Sequence, residues 1–196
     1  MNLPTKLTIV RIILAIIICS ILLFPFEAVG ISLPTIRAGI DFDIRYIVAG
    51  VIFVIASLTD FLDGYLARKN NQVTDLGKML DAIADKVLTN PVLIIFAVEG
   101  AFSPIVPVIV IVRDIVVNAI KMEAASKGKV VAAISSGKIK TASLMIGMIL
   151  VFFNNYPFIF KNIELHYLFI YFATIMSLVS MIQYYSLNKK IFTEQK

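Results

Sequence analysis

The chain has 196 residues, of which 59% are hydrophobic and only 16% are charged, and its net charge is +5. A soluble domain averages about half apolar and about a quarter charged residues, so this composition indicates one integral membrane domain over residues 1–196. The single cysteine and single histidine exclude an internal disulfide and a Cys/His zinc site. Any bound metal ion must therefore use oxygen ligands, which points to Mg²⁺, Mn²⁺ or Ca²⁺.

Six apolar segments approach the roughly 20 residues that a helix needs to cross a bilayer. The expected spans are, in chain order, about 7–26, 45–67, 77–99, 104–124, 141–156 and 165–187. The fifth is short unless it begins earlier, near Val130. No small-residue cleavage site follows the first span, so we interpret it as a mature helix rather than a signal peptide. The prediction is an all-α membrane fold of six transmembrane helices.

The basic residues indicate how these helices are oriented. If the N-terminus is cytoplasmic, most lysines and arginines fall on the inner side, and the outer loops hold only Arg37, Arg45 and Lys161. This bias predicts that both termini are cytoplasmic and that the protein is a multi-pass protein of the plasma membrane. The anionic inner leaflet accounts for the positive charge, so no nucleic-acid partner is needed.

The most polar part of the chain, DFLDGYLARKNNQVTDLGKMLDAIAD at residues 60–85, joins spans two and three. Residues three and four positions apart share one face of a helix. Two such faces are Asp60, Asp63, Gly64 and Ala67 at the end of span two, and Gly77, Asp81 and Asp85 at the start of span three. Because the connecting loop is short, we expect the two helices to be antiparallel neighbours on which four carboxylates converge.

Four carboxylates in apolar surroundings need compensation, since a single charge at mid-membrane costs at least ~2.5 kcal/mol. One or two divalent cations would supply it, and two ions can hold both oxygens of a phosphoryl displacement. Arg68 suits a diphosphate, and Thr74 offers a hydroxyl nearby. Intramembrane acids also serve transport, so a cation or proton transporter is the alternative from a different class.

The pattern D-x2-D-G-x2-A-R-x8-G-x3-D-x3-D resembles the signature of the CDP-alcohol phosphotransferase family at all eight of its fixed residues. The resemblance implies a six-helix fold, usually a homodimer, with a CDP-linked donor and two Mg²⁺ or Mn²⁺ ions in a cavity open to the cytoplasm. It implies that Asp85 is the general base. The implied metal ligands are Asp60, Asp63, Asp81 and Asp85, and the implied CDP-diacylglycerol site is Asp60, Gly64, Arg68, Thr74 and Gly77.

Three further stretches, NLPTKLTIVR, RDIVVNAIK and SSGKIKTA, are similar to bacterial phosphatidylglycerophosphate synthases, a subfamily of these enzymes. This similarity implies phosphatidyl transfer from CDP-diacylglycerol to sn-glycerol 3-phosphate in phospholipid biosynthesis. The acceptor's phosphate needs cations, for which the candidates are Arg113, Lys138 and Lys140.

Alternatives remain for these cations and for the acceptor. Arg113 could instead pair with Asp114 or with the aspartate cluster, and the lysines could simply anchor the inner surface. Within the same chemistry, the alternatives are a cardiolipin synthase of the CDP-alcohol type and a phosphatidylserine or inositol-phosphate synthase.

Overall fold

The structure is a computed structural model that describes residues 3–37, 41–69, 75–129, 131–158 and 163–193. It consists mainly of six helices with short connections. These are α1 Leu3–Leu23, α2 Ile44–Lys69, α3 Asp75–Val98, α4 Ile105–Ser126, α5 Ser135–Phe152 and α6 Leu165–Thr193. A short hairpin between α1 and α2 pairs β1 Thr35–Arg37 antiparallel with β2 Asp41–Asp43. The prediction of six helices is therefore confirmed, whereas the hairpin was not predicted.

The fifth helix differs most from the expected span of about 141–156, because it both begins and ends earlier, and an earlier start, near Val130, was the alternative that the sequence left open. It begins at Ser135, directly after Ile134 in an extended conformation with φ −91° and ψ 151°. It ends at Phe152, and two asparagines with positive φ follow, Asn154 at 48° and Asn155 at 56°. Asparagine tolerates this left-handed conformation better than most residues, so the pair stops the helix.

Three helices have the length and apolar composition needed to cross a membrane. Among the described residues these segments are Thr5–Leu23, Ser135–Phe152 and Leu165–Lys189. Helices α2, α3 and α4 are of similar length, but they carry the charged residues of the predicted site. Six membrane spans thus stay a prediction.

The helices form two groups of three. In the first half, α1 packs along both α2 and α3, and in the second half α6 packs along both α4 and α5. Helices α2 and α3 contact each other less than each contacts α1 within the described ranges, but the side chains of Asp60 on α2 and Asp81 on α3 lie close together, as expected for two facing polar stripes. Helix α1 packs against both helices, which makes a residue of α1 part of the predicted site.

Aromatic side chains join the two halves. Three phenylalanines are fully buried here: Phe53 of α2, Phe96 of α3 and Phe152 of α5. The ring centroid of Phe152 lies 5.3 Å from that of Phe53 and 4.7 Å from that of Phe96. Gly50 allows this close approach, because a Cβ there would lie 2.8 Å from the Cβ of Phe152. About two helical turns separate this apolar core from Asp60, so the polar residues gather towards one end of the bundle.

Candidate active site

One arginine of α1 holds two of the predicted aspartates together. Arg11 is completely buried, and its Nη1 lies 2.6 Å from Oδ1 of Asp60 on α2 and 3.0 Å from Oδ1 of Asp81 on α3. The two carboxylates remain 36% and 52% exposed. The structure therefore brings Asp60 and Asp81 to a shared positive charge, and they remain accessible to a ligand.

Asp85 lies one helical turn beyond Asp81 on α3 and is partly buried. Its carboxylate interacts electrostatically with Asp60 and Asp81 of the first half and with Lys140 and Asp114 of the second half. Asp85 is therefore close enough to feel the charges of both groups.

Five of the predicted site residues lie around the connection between α2 and α3. The side chains of Asp63 and Arg68, the surroundings of Gly64 and the whole of Thr74 lie outside the described residues. Gly77 is partly buried in the first turns of α3. The roles predicted for these five residues remain predictions.

Two of the described residues offer carboxylate donors of the kind that a divalent metal ion uses. Within the described ranges, no three acidic, histidine or cysteine side chains are close enough to hold an ion together, and Asp63 is outside that comparison. However, Asp60 and Asp81 direct carboxylate oxygens at the same cationic nitrogen. Carboxylate oxygens gathered around one positive charge are the ligands that Mg²⁺ and Mn²⁺ prefer.

A second polar group, here called the cationic cluster, consists of Arg113, Asp114, Lys140 and Ser180. Arg113 Nη1 donates a hydrogen bond of 2.8 Å to Asp114 Oδ1, and Nε donates one of 2.9 Å to Ser180 Oγ. Lys140 Nζ donates to both oxygens of Asp114, at 3.1 and 3.2 Å. Two buried cations share one carboxylate, so the cluster keeps a net positive charge that suits a phosphate.

Two further residues shape the surroundings of Arg113. The ring of Tyr184 lies 5.6 Å from the guanidinium carbon, and the Tyr184 hydroxyl accepts a 3.3 Å hydrogen bond from the Ile134 N–H. A Cβ at Gly137 would lie 3.1 Å from Arg113 Nη2. The guanidinium therefore fits between α5 and α6 because residue 137 has no side chain.

The predicted acceptor residues are only partly brought together. Arg113 and Lys140 meet at Asp114, and the Arg113–Asp114 ion pair considered as an alternative is present. Lys138 is exposed, on a different face of α5 from Lys140.

The sequence reasoning gave no role in the site to Arg11, Ser180 or Tyr184. The last two lie on one face of α6 with Ser177, and that polar stripe in an apolar helix was the available signal.

Comparisons with known proteins point to one family of enzymes. A family model described as CDP-alcohol phosphatidyltransferase matches residues 1–182. The CDP-diacylglycerol–glycerol-3-phosphate 3-phosphatidyltransferase of Bacillus subtilis is 37% identical over 188 residues, 95% of each chain. The protein of the same name from Haemophilus influenzae is 34% identical over 96% of this chain and 94% of its own. That of Mycoplasma genitalium is 39% identical over 127 residues, 65% of this chain and 52% of its own.

Proposed function

Because the chain belongs to the CDP-alcohol phosphatidyltransferase family, we propose that it transfers the phosphatidyl group of CDP-diacylglycerol to sn-glycerol 3-phosphate. The products are phosphatidylglycerophosphate and CMP, so the protein is a transferase of phospholipid biosynthesis. One structural observation supports this function most directly. Asp85 interacts electrostatically both with an acidic pair that can bind a metal ion and with a cationic cluster that can bind a phosphate.

The family generally uses divalent metal ions. In this chain Asp60, Asp63, Asp81 and Asp85 would hold two ions, Mg²⁺ or Mn²⁺. When bound, such ions stabilise negative charge on the phosphoryl group that is being transferred. The proximity of Asp60 and Asp81 to a shared cation supports this assignment, because it places oxygens from two helices around one charge.

The donor is held at the ends of α2 and α3. Glycines leave room for the bulky nucleotide, and the arginine can bind its diphosphate bidentately. The residues assigned to CDP-diacylglycerol are Asp60, Gly64, Arg68, Thr74 and Gly77. The acyl chains stay in the bilayer, so only the head group enters the polar site.

The acceptor is held from the second half of the bundle. Arg113 and Lys140, with Lys138 as a third candidate, bind the phosphate of glycerol 3-phosphate. Asp85 takes the proton of the primary hydroxyl, and this oxygen forms a bond to the phosphorus that carries diacylglycerol. The bond from that phosphorus to the CMP oxygen breaks, and CMP leaves. The electrostatic interaction of Asp85 with both polar groups suits this role.

We further propose the membrane arrangement that the basic residues predicted. All six helices cross the plasma membrane, both termini are cytoplasmic, and the protein is a homodimer. The polar residues of the site then lie towards the cytoplasmic side, where glycerol 3-phosphate and CMP are soluble. The three apolar helices support placement in a membrane.

The deciding experiment measures CMP release by the purified protein in lipid nanodiscs. CDP-diacylglycerol is supplied with glycerol 3-phosphate, phosphatidylglycerol, serine or inositol phosphate, with Mg²⁺ or with EDTA. We expect CMP release only with glycerol 3-phosphate and a divalent ion. CMP release that instead requires phosphatidylglycerol, serine or inositol phosphate would assign another acceptor, and ion flux through proteoliposomes without CMP release would indicate a transporter.

A further inference from the structure

A serine of α6 is arranged to accept a hydrogen bond from Arg113. Ser180 is completely buried, and its Oγ accepts the hydrogen bond from Arg113 Nε at 2.9 Å. The same hydroxyl donates to the backbone carbonyl of Ser177 at 2.9 Å. A serine hydroxyl has one hydrogen, so this donation turns its lone pairs towards the guanidinium. The backbone of α6 therefore orients Ser180 as an acceptor.

The hydrogen bond that Arg113 donates to Ser180 limits how the guanidinium can turn. Asp114 holds Nη1 from α4 itself, and Ser180 holds Nε from α6. Two fixed points on a planar group define its orientation, whereas one point allows rotation. In the held orientation Nη2 lies beside Gly137, in the first turn of the helix that carries Lys140.

We propose that Ser180 is a positioning residue that keeps the Arg113 guanidinium directed at the phosphate of the acceptor. The inference rests on the proposed function, because that function assigns Arg113 to glycerol 3-phosphate. Ser180 itself does not touch substrate. Without its hydroxyl, a nearly buried N–H of Arg113 loses its acceptor and the side chain is held only by Asp114. The expected consequence is weaker binding of the acceptor and unchanged binding of the donor.

The first test is the kinetics of CMP release by the full chain in nanodiscs, with each substrate varied in turn. We expect Ser180→Ala to raise the KM for glycerol 3-phosphate about tenfold, as for loss of a hydrogen bond to a charged group. The KM for CDP-diacylglycerol and kcat should stay within about twofold of the wild-type values. A general loosening of the bundle would change all three parameters.

Ser177 offers a matched control one helical turn away. It is also completely buried on α6, and its hydroxyl has no hydrogen-bond partner within the described part of the chain. Ser177→Ala keeps the backbone carbonyl that accepts from Ser180. All kinetic parameters of this control should lie within about twofold of the wild-type values, because no hydrogen bond is removed.

A double mutant tests whether Ser180 acts through Arg113. Arg113→Lys keeps the positive charge but removes the Nε–H, so Ser180→Ala should change KM by less than about twofold in that background. If Ser180→Ala does not fold, Ser180→Thr and Ser180→Val replace it, since this pair has similar shapes and differs in the hydroxyl. The valine variant should then show the higher KM.

Three results would overturn the inference. One is a KM for glycerol 3-phosphate in Ser180→Ala equal to that of Ser177→Ala. Another is an equal rise in the KM of both substrates, and the third is a full additional effect of Ser180→Ala in the Arg113→Lys background. Wild-type protein that releases no CMP with glycerol 3-phosphate would overturn the proposed function, and this inference with it. The wild-type measurement thus separates the two failures.

Discussion

Replacement of the buried arginine of α1 tests the architecture of the acidic site. Arg11→Gln removes the charge that Asp60 and Asp81 share. Two hydrogen bonds to charged groups would contribute about 3 to 6 kcal/mol if both were fully buried. The carboxylates are 36% and 52% exposed, so water compensates for part of the loss. We therefore expect the free energy of unfolding to fall by about 2 to 3 kcal/mol in the absence of metal.

The assay is unfolding of the purified protein by SDS in mixed micelles, with EDTA or with excess Mg²⁺. A divalent ion bound by the same carboxylates supplies the missing positive charge. In Mg²⁺, the loss of unfolding free energy caused by Arg11→Gln should therefore shrink to about half. Arg45→Gln is the matched control, because Arg45 pairs with Asp43 at the opposite end of α2, where both side chains are 30% exposed. It should cost at most about 1 kcal/mol in both conditions. The shared-charge role of Arg11 would be refuted if Arg11→Gln lowered the free energy of unfolding no more than this control does, or if Mg²⁺ did not change that loss.

Three other substitutions separate chemistry from packing. Asp85→Asn should lower kcat for CMP release by at least about 100-fold, because the general base is lost. The midpoint of its thermal unfolding should stay near that of the control Asp43→Asn. Turnover near the wild-type value would contradict the role of Asp85 as base. Gly137→Ala places a methyl group 3.1 Å from Arg113 Nη2 and should displace the guanidinium. The KM for glycerol 3-phosphate should therefore rise several-fold. An unchanged KM would show that the guanidinium can move without loss of binding. Gly147→Ala puts a Cβ 2.8 Å from two side-chain carbons of Ile170 on α6. This overlap should lower the free energy of unfolding by about 1 to 3 kcal/mol. An unchanged midpoint of thermal unfolding would show that there is spare room between α5 and α6.

The helices and the acidic motif could be predicted because both depend on local periodicity. Apolar runs of about 20 residues predict the helices, and spacings of three and four predict which aspartates share a face. The start of α5 could not be predicted in this way. Lys140 resembled part of a charged connection, but it lies buried in the helix because Asp114 compensates its charge.

The connections between helices could not be predicted, because the partners are far apart in the sequence. Arg11 meets Asp81 at a separation of 70 residues, and Arg113 meets Ser180 at a separation of 67. Periodicity assigns each residue to a face of its own helix but does not say which helix covers that face. This is why α1 was not assigned to the site.

The position of Arg11 has a consequence for biogenesis. The helix that carries it is translated first, whereas Asp60 and Asp81 emerge from the ribosome only later. An arginine exposed to hydrocarbon costs at least about 2.5 kcal/mol, so the newly made helix must keep this side chain near water or lipid phosphates. If α2 and α3 also cross the bilayer, as proposed above, the arginine meets its two partners only after these helices have entered it. On that arrangement, the first half of the protein would insert as a concerted step of three segments rather than as a series of independent ones.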